Sequence, residues 1–101
     1  MAYYLQYDNG NQEQVCSNDG WNAVGAWIDT VEPDHYPNLV HLREHGYAND
    51  VAGLAEEMAG AAEVYHDSTG HDVYVEQTIR DILKSLRANR GAVVLSQGMS
   101  A

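Results

Sequence analysis

The chain has 101 residues, of which 45% are hydrophobic and 20% charged, and fifteen acidic against five basic side chains give a net charge of −10. This length is typical of one domain, so we expect residues 1–101 to form a single domain with a loose tail at 97–101. The composition argues against disorder, and the single cysteine argues against a disulfide framework. Without a signal-peptide pattern or the roughly 20 apolar residues that span a bilayer, the expected location is the cytoplasm, away from membranes.

The charge is unevenly distributed along the chain. Residues 1–79 sum to −13, with Arg43 as the one basic side chain, whereas residues 80–101 sum to +3. Such an acidic field disfavours direct binding to nucleic-acid phosphates, and it attracts basic proteins or cations. Acidity also serves solubility alone, so the charge leaves two interpretations open.

The N-terminal residues predict a β-hairpin. Residues 2–7 are rich in aromatics, residues 12–16 can return as a second strand, and Asn9-Gly10 is a dipeptide preferred in two-residue turns with positive φ. Alternate residues of the first strand share one face, which we expect a helix to cover: Tyr3, Leu5 and Tyr7.

Residues 17–31 predict the central helix. Ser17 can accept a hydrogen bond from the first turn, and Asp19 places a carboxylate at the positive end of the helix dipole. An apolar stripe follows at the 3.6-residue period and is expected in the core. Its members are Trp21, Val24, Ile28 and Val31, with Trp27 on the flank.

A stiff loop at 32–37 precedes a short predicted helix at 37–45. Pro37 suits the first helical position, and Gly46 suits the left-handed position that ends a helix. Leu39 and Leu42 would then point inward. The alternative is a strand at 39–42, and we prefer the helix because of the proline and the glycine at its ends.

A third helix is predicted from a cap at Asn49 to about Tyr65. Its inner stripe contains Val51, Leu54, Ala55, Met58, Ala62 and Tyr65. On the opposite side Gly53, Gly60 and Val64 lie close together beside Glu57, with Glu56 and Glu63 at the edge. Each interior glycine costs a helix about 1 kcal/mol relative to alanine. A homodimer in which another backbone packs against the glycines would explain them, and a weak solvated helix is the alternative.

The last helix is predicted from a cap at Asp72 to about Asn89, with Gly91 as its end. Its core stripe contains Val75, Ile79, Ile82, Leu83 and Leu86. Residues 92–96 are short and β-branched, and they predict a final strand that joins the hairpin. The predicted fold is α+β: a small, mainly antiparallel sheet of three strands with about four helices, in the order ββααααβ.

The histidines are candidates for metal binding, although we expect no metal or other cofactor. His41 and His45 would share one helix face, and a His-Asp doublet occurs at His66 and again at His71. Zinc needs three or four ligands in a closed arrangement, and no recognisable spacing completes either set. Cys16 lacks any local signature of a nucleophile, so a small buried thiol is expected.

Two surface or pocket features remain. Arg80, Lys84 and Arg87 form a basic stripe on the last helix, where pairs of Glu76 with Arg80 and of Asp81 with Lys84 are expected. A small-ligand pocket could be lined by aromatic residues: Trp21, Trp27, Tyr36 and Tyr65.

No phosphate loop, nucleophile elbow or zinc-protease motif is present, which favours a binding protein over an enzyme. The leading hypothesis is a small acidic protein that masks or recruits a basic partner protein, as inhibitors, immunity proteins and nucleic-acid mimics do. The carboxylates expected to bind the partner are Glu56, Glu57 and Glu63. The alternatives are a small-ligand domain with the aromatic pocket, and a metal-dependent enzyme that uses the His-Asp loop.

Overall fold

The computed structural model describes residues 2–30, 33–68, 70 and 72–98. Its class is α+β with four helices, as the sequence predicts. In chain order the elements are β1 (Ala2–Tyr7), β2 (Gln12–Ser17), α1 (Asn18–Ile28), a 3₁₀ turn (Pro33–His35), α2 (Pro37–His45), β3 (Tyr47–Ala48), α3 (Val51–His66), α4 (Val73–Arg87) and β4 (Val93–Gly98).

The strands form one antiparallel sheet in the order β2-β1-β4-β3. Strand β4 pairs with β1 along its whole length, so the final strand does join the hairpin. The prediction of three strands is wrong because the two-residue β3 pairs with the start of β4; two residues are too few to show the alternation of a strand. Strand β4 also includes Gln97 and Gly98, which we expected in the tail, and residues 99–101 lie outside the described chain.

The hairpin is confirmed, but its turn differs from the predicted one. Gly10 has a φ of 94°, and no non-glycine residue among those described has a positive φ. The Gly10 N–H donates to Tyr7 O at 3.0 Å, and the Tyr7 N–H donates to Asn11 O at 2.8 Å. This is a three-residue loop with glycine in the bulge position, so Asn9 needs no positive φ.

Side-chain caps start three of the helices. Ser17 caps α1 and Asp72 caps α4, as predicted, each accepting a backbone N–H of the first turn. The cap of α3 is Asp50, which accepts the Gly53 N–H at 2.9 Å, so the prediction of Asn49 is wrong by one residue. Both residue types make good caps, and sequence alone does not choose between adjacent ones.

Helix α2 confirms the helical interpretation of 37–45 and excludes the strand. Pro37 lies in its first turn, and Gly46 ends it with a φ of 80°. Leu39 and Leu42 are fully buried. Glycine adopts this left-handed conformation without strain, so Gly46 ends the helix at little energetic cost.

One hydrophobic core joins the inner face of the sheet to all four helices. Most members of the predicted stripes are buried; Ala55 and Trp27 are partly buried, and Val31 lies outside the described residues. The most enclosed side chains include Leu5, Val24, Ile28, Leu54, Met58, Ile79, Ile82 and Leu86. The core thus fixes which sides of α3 and α4 remain available at the surface.

A polar cluster around Asn89 ties the end of α4 to the hairpin. The buried Asn89 side chain accepts the side-chain amides of Asn11 at 2.9 Å and Asn9 at 3.4 Å. It donates to Glu13 Oε1 at 3.2 Å and to Ser85 O at 2.9 Å. The full hydrogen-bonding capacity of one buried amide is therefore used, with three of its four bonds reaching the hairpin and one returning to α4.

Replacing Asn89 with alanine should destabilise the fold by about 2 kcal/mol, because net losses of about 1 kcal/mol per hydrogen bond add to the cost of unpaired neighbours. Urea denaturation followed by circular dichroism measures this as a lower midpoint at an unchanged slope. Asn22→Ala, at an exposed position of α1, is the matched control and should leave the midpoint nearly unchanged. Equal midpoints for the two variants would show that the cluster contributes nothing.

Candidate interaction surface

Helix α3 turns one side to solvent, and that side carries acidic and very small residues. Glu56, Gly60 and Glu63 are exposed there; we call these three residues the acidic strip. Among the described residues neither the Glu56 nor the Glu63 carboxylate makes a hydrogen bond or an ion pair. A Cβ added at Gly60 would meet no atom within 4 Å. The strip is therefore an open surface with two carboxylates and space between them.

Glu57 has a different role from its two neighbours. Its carboxylate accepts the backbone N–H groups of Asn38 and Leu39, both at 3.1 Å, and the Asn38 side-chain amide at 2.5 Å. These donors belong to the first turn of α2, where a carboxylate also interacts favourably with the helix dipole. Glu57 thus caps a helix inside the fold, so the expectation that it lies free on the outer side is wrong.

The three residues predicted at a dimer face have different surroundings in the structure. A Cβ on Gly53 would approach Asp50 Oδ2 to 2.5 Å and Asn38 Nδ2 to 3.0 Å, so a side chain here would displace the Asp50 cap or the Asn38 side chain. Val64 is 50% exposed, and Gly60 has no such intramolecular constraint. Packing within the described chain thus accounts for Gly53 but not for Gly60, and both the dimer and the weak solvated helix stay untested.

Helix α4 presents a basic face. Arg80, Lys84 and Arg87 are all exposed, and we call them the basic stripe. Arg80 Nε lies 3.2 Å from Glu76 Oε2, which confirms the predicted pair. Asp81 accepts a hydrogen bond from Gln77 Nε2 at 2.8 Å, and no pair with Lys84 forms among the described side chains. Lys84 and Arg87 therefore keep their charges available at the surface.

Helices α3 and α4 pack against each other, and the acidic strip and the basic stripe lie on the exposed sides of the two helices, opposite their buried residues. At one end His66 Nδ1 lies 2.8 Å from Glu76 Oε1. At the other end a groove of about 450 Å³ separates Ala52 and Ala55 of α3 from Arg87 of α4. We call the boundary between α3 and α4 on this face the seam. Small residues line its α3 side at this end, and the acidic strip and the basic stripe lie on either side of it.

Three of the four aromatic residues predicted to line a pocket come together around Trp27, and Trp21 lies apart from them. Trp27 contacts Tyr65 edge-on with ring centroids 5.1 Å apart, and it lies 6.3 Å from Tyr36. Trp21 instead packs against Tyr3 at 5.7 Å. None of the four described grooves, of about 290 to 450 Å³, is lined by any of these four side chains. Small-ligand binding at this cluster stays an untested prediction.

Three of the histidines contact each other or a carboxylate: His41 and His45 lie together on α2, with His45 Nε2 3.9 Å from Glu44 Oε2, and His66 lies beside Glu76. The rings of His41 and His45 lie 4.5 Å apart, and His41 Nδ1 lies 2.9 Å from Tyr47 O. His66 is engaged with Glu76, and His71 lies outside the described residues. Within the described part of the chain no three His, Cys, Asp or Glu side chains gather as metal ligands. Chemistry at the His-Asp loop stays untested.

Cys16 is a partly buried thiol near the end of β2. Burial, with a smaller contribution from the negative charge of Asp81, raises the pKa of the Cys16 thiol to about 11. A thiol with this pKa is almost entirely protonated at neutral pH, and the thiolate is the reactive form. The structure therefore gives Cys16 the properties of a packing residue.

Comparisons with protein-family models, with curated proteins and with solved structures gave no match. Among the described residues no helix is both long enough and apolar enough to cross a membrane. The function must therefore be inferred from the geometry and charge of the surface itself.

Native Cys16 should react with a disulfide reagent at pH 8 on the order of 100-fold more slowly than the unfolded chain, because a pKa near 11 leaves about one thiol in a thousand ionised. Absorbance of the released thiolate measures both rates, with guanidinium chloride supplying the unfolded reference. Raising the pH from 8 to 10 should accelerate the native reaction. Equal native and unfolded rates would contradict the burial of the thiol.

Glu76 should stabilise the fold more at neutral pH than in acid. Hydrogen bonds from His66, and secondly from Arg80, lower the pKa of its carboxyl group. A lowered folded-state pKa gives stability that is present above the unfolded value of about 4.3 and is lost as pH falls through the folded value. Melting temperatures of Glu76→Gln and wild type should therefore converge below about pH 4. Glu56→Gln, which removes a carboxylate without such contacts, is the control. If the difference in melting temperature between Glu76→Gln and wild type stayed constant with pH, the lowered pKa would not contribute to stability.

Proposed function

We propose that the protein binds and masks a basic partner protein through the acidic strip on α3. The observation that carries the proposal is Gly60. An interior glycine weakens a helix by about 1 kcal/mol relative to alanine, yet a side chain at Gly60 would meet nothing within 4 Å. Close approach of a partner between Glu56 and Glu63 is a reason for this glycine that the described part of the chain does not otherwise supply.

The charge of the chain supports a basic partner. Seven acidic and no basic side chains fall between residues 47 and 77, and the net charge is −10. A field of this sign accelerates encounter with a positive surface, while partially desolvated carboxylates at the contact provide register and specificity. The same field repels phosphate backbones, so the proposal does not include nucleic acid as a direct ligand.

The proposal describes a binding protein rather than an enzyme, and it places binding in the cytoplasm. The single cysteine, with the pKa of its thiol raised to about 11, suits a chain that needs neither a disulfide nor a reactive thiol. We leave Glu57 out of the proposed contact surface because its carboxylate caps α2. The proposed contact therefore rests on Glu56 and Glu63.

The double variant Glu56→Gln with Glu63→Gln should bind the partner more slowly and with a flatter salt dependence, because two of the steering charges are lost. Its thermal stability should equal or slightly exceed that of wild type, since neither carboxylate has a partner among the described residues. The partner is obtained by affinity capture at low salt, and association rates are then measured by surface plasmon resonance. A generic basic protein serves as the probe for bulk charge attraction.

The matched control removes two charges elsewhere. Asp34 and Glu44 are exposed and lie on the 3₁₀ turn and α2, so Asp34→Asn with Glu44→Gln gives the same net charge. If both double variants slow binding equally, the acidity acts only in bulk. Gly60→Ala separates shape from charge: it should stabilise the helix by about 0.5 to 1 kcal/mol while weakening the complex, and tighter or unchanged binding would remove the argument from Gly60.

A further inference from the structure

The outer face of the α3–α4 pair carries opposite charges on its two helices. The acidic strip lies on α3 and the basic stripe lies on α4, with the seam between them. Among the described residues Glu56, Glu63, Lys84 and Arg87 have no ion-pair partner. The face therefore presents complementary charges that do not neutralise each other within one copy of the chain.

The contacts at the two ends of the seam fix the relative levels of the two helices. Ala52 and Arg87 line the same groove at one end of the pair, and His66 contacts Glu76 at the other end. Because each residue advances 1.5 Å along a helix and the helices run antiparallel, Glu56 lies level with Lys84. By the same count Gly60 lies level with Arg80.

We propose that a second copy of this chain docks on this face, related by a two-fold axis parallel to the helices. Such a rotation places α3 of each copy over α4 of the other and keeps every residue at its own level. The acidic strip then meets the basic stripe twice, as two-fold symmetry requires. The product is a four-helix arrangement in which facing helices are antiparallel, a common packing geometry.

The side chains suit this arrangement. Glu56 of one copy comes opposite Lys84 of the second copy, with Arg87 one turn away. The long Arg80 side chain comes opposite Gly60, where the structure has open space. Ala52 and Ala55 line the α3 wall of the seam and allow the helices to approach closely. The dimer thus uses Gly60 of the predicted dimer face, while Gly53 is already occupied within the chain.

The expected dimer is weak. Two helices of 15 and 16 residues are roughly 23 Å long and about 10 Å wide each, so the face buries about 500 Å² per copy. A total near 1,000 Å² is at the lower end of specific interfaces. Two copies of charge −10 also repel each other over long distances. At about 0.15 M salt the Debye length is about 8 Å, which screens this repulsion but preserves contact pairs.

Both very low and very high salt should therefore weaken the dimer. At about 0.01 M salt the long-range repulsion of the two acidic copies opposes association, and at about 1 M salt the contact pairs themselves are screened. Association should be strongest between these limits. If the acidic strip also binds a basic partner, a consequence that rests on the proposed function, the dimer would compete with that partner. The dimer itself requires no partner.

Charge reversal tests the arrangement by sedimentation velocity of the full chain at 0.15 M salt. Glu56→Lys with Glu63→Lys should weaken association at least tenfold, because the two new ammonium groups would then lie opposite Lys84 and within one turn of Arg80. This variant has a net charge of −6 rather than −10, so reduced bulk repulsion would have the opposite effect. Lys84→Glu with Arg87→Glu should also be monomeric. A mixture of the two double variants should form a heterodimer, since each interface then regains opposite charges.

The control Asp34→Lys with Glu44→Lys changes the net charge equally but lies outside the α3–α4 face, and it should dimerise at least as well as wild type. The proposal is wrong if wild type remains monomeric up to about 0.5 mM at 0.15 M salt. It is also wrong if either reversed variant dimerises like wild type, or if their mixture remains monomeric. Circular dichroism shows that each variant is folded. If no dimer is found, partner binding by the acidic strip is still tested by its own binding measurement.

Discussion

The geometry of the surface depends on the hydrogen bonds that hold the segment after α4. Asn89 fixes that segment to the hairpin, and the Ala92 N–H donates to Asp8 Oδ2 at 3.3 Å. Gly91 O accepts the Val51 N–H at 2.9 Å, which attaches the same segment to the start of α3. Gly91 itself has a φ of 86° and leaves room for the Asp8 carboxylate. One short connection thus sets the positions of α3, α4 and β4 relative to each other.

A second polar junction shows that acidic residues have two distinct roles in this chain. Asp50 caps α3. Glu57 of the same helix caps the neighbouring helix α2 by accepting the backbone N–H groups of Asn38 and Leu39. Gly53 provides the space in which Asp50 and Asn38 pack. These carboxylates neutralise partial charges at helix ends, so they contribute to the fold rather than to the outward field. Counts of acidic residues therefore overstate the charge available for binding.

The sequence predicted the elements with strong local signals and missed those formed by distant partners. Periodic stripes and caps located all four helices, and the β-branched run after Gly91 located β4. Strand β3 and the Asn89 cluster have no local signal, because each exists only through pairing with residues that are remote in sequence. For the same reason Glu57 was grouped with Glu56 and Glu63. The local sequence does not show which of these glutamates faces the neighbouring helix α2.

The remaining acidic strip is best explained by combining the charge with the shape of the helix. Solubility requires only charge, and exposed glutamates on an alanine-rich helix would supply it without a glycine. Among the described residues the cations Arg43 and Arg80 are already paired with Asp29 and Glu76, so they do not relieve the strip. Two exposed carboxylates without a cation partner among the described residues, and a destabilising Gly60 between them, both lower the stability of α3. The proposed contact with a close-packed positive surface would compensate both losses, which solubility alone does not do.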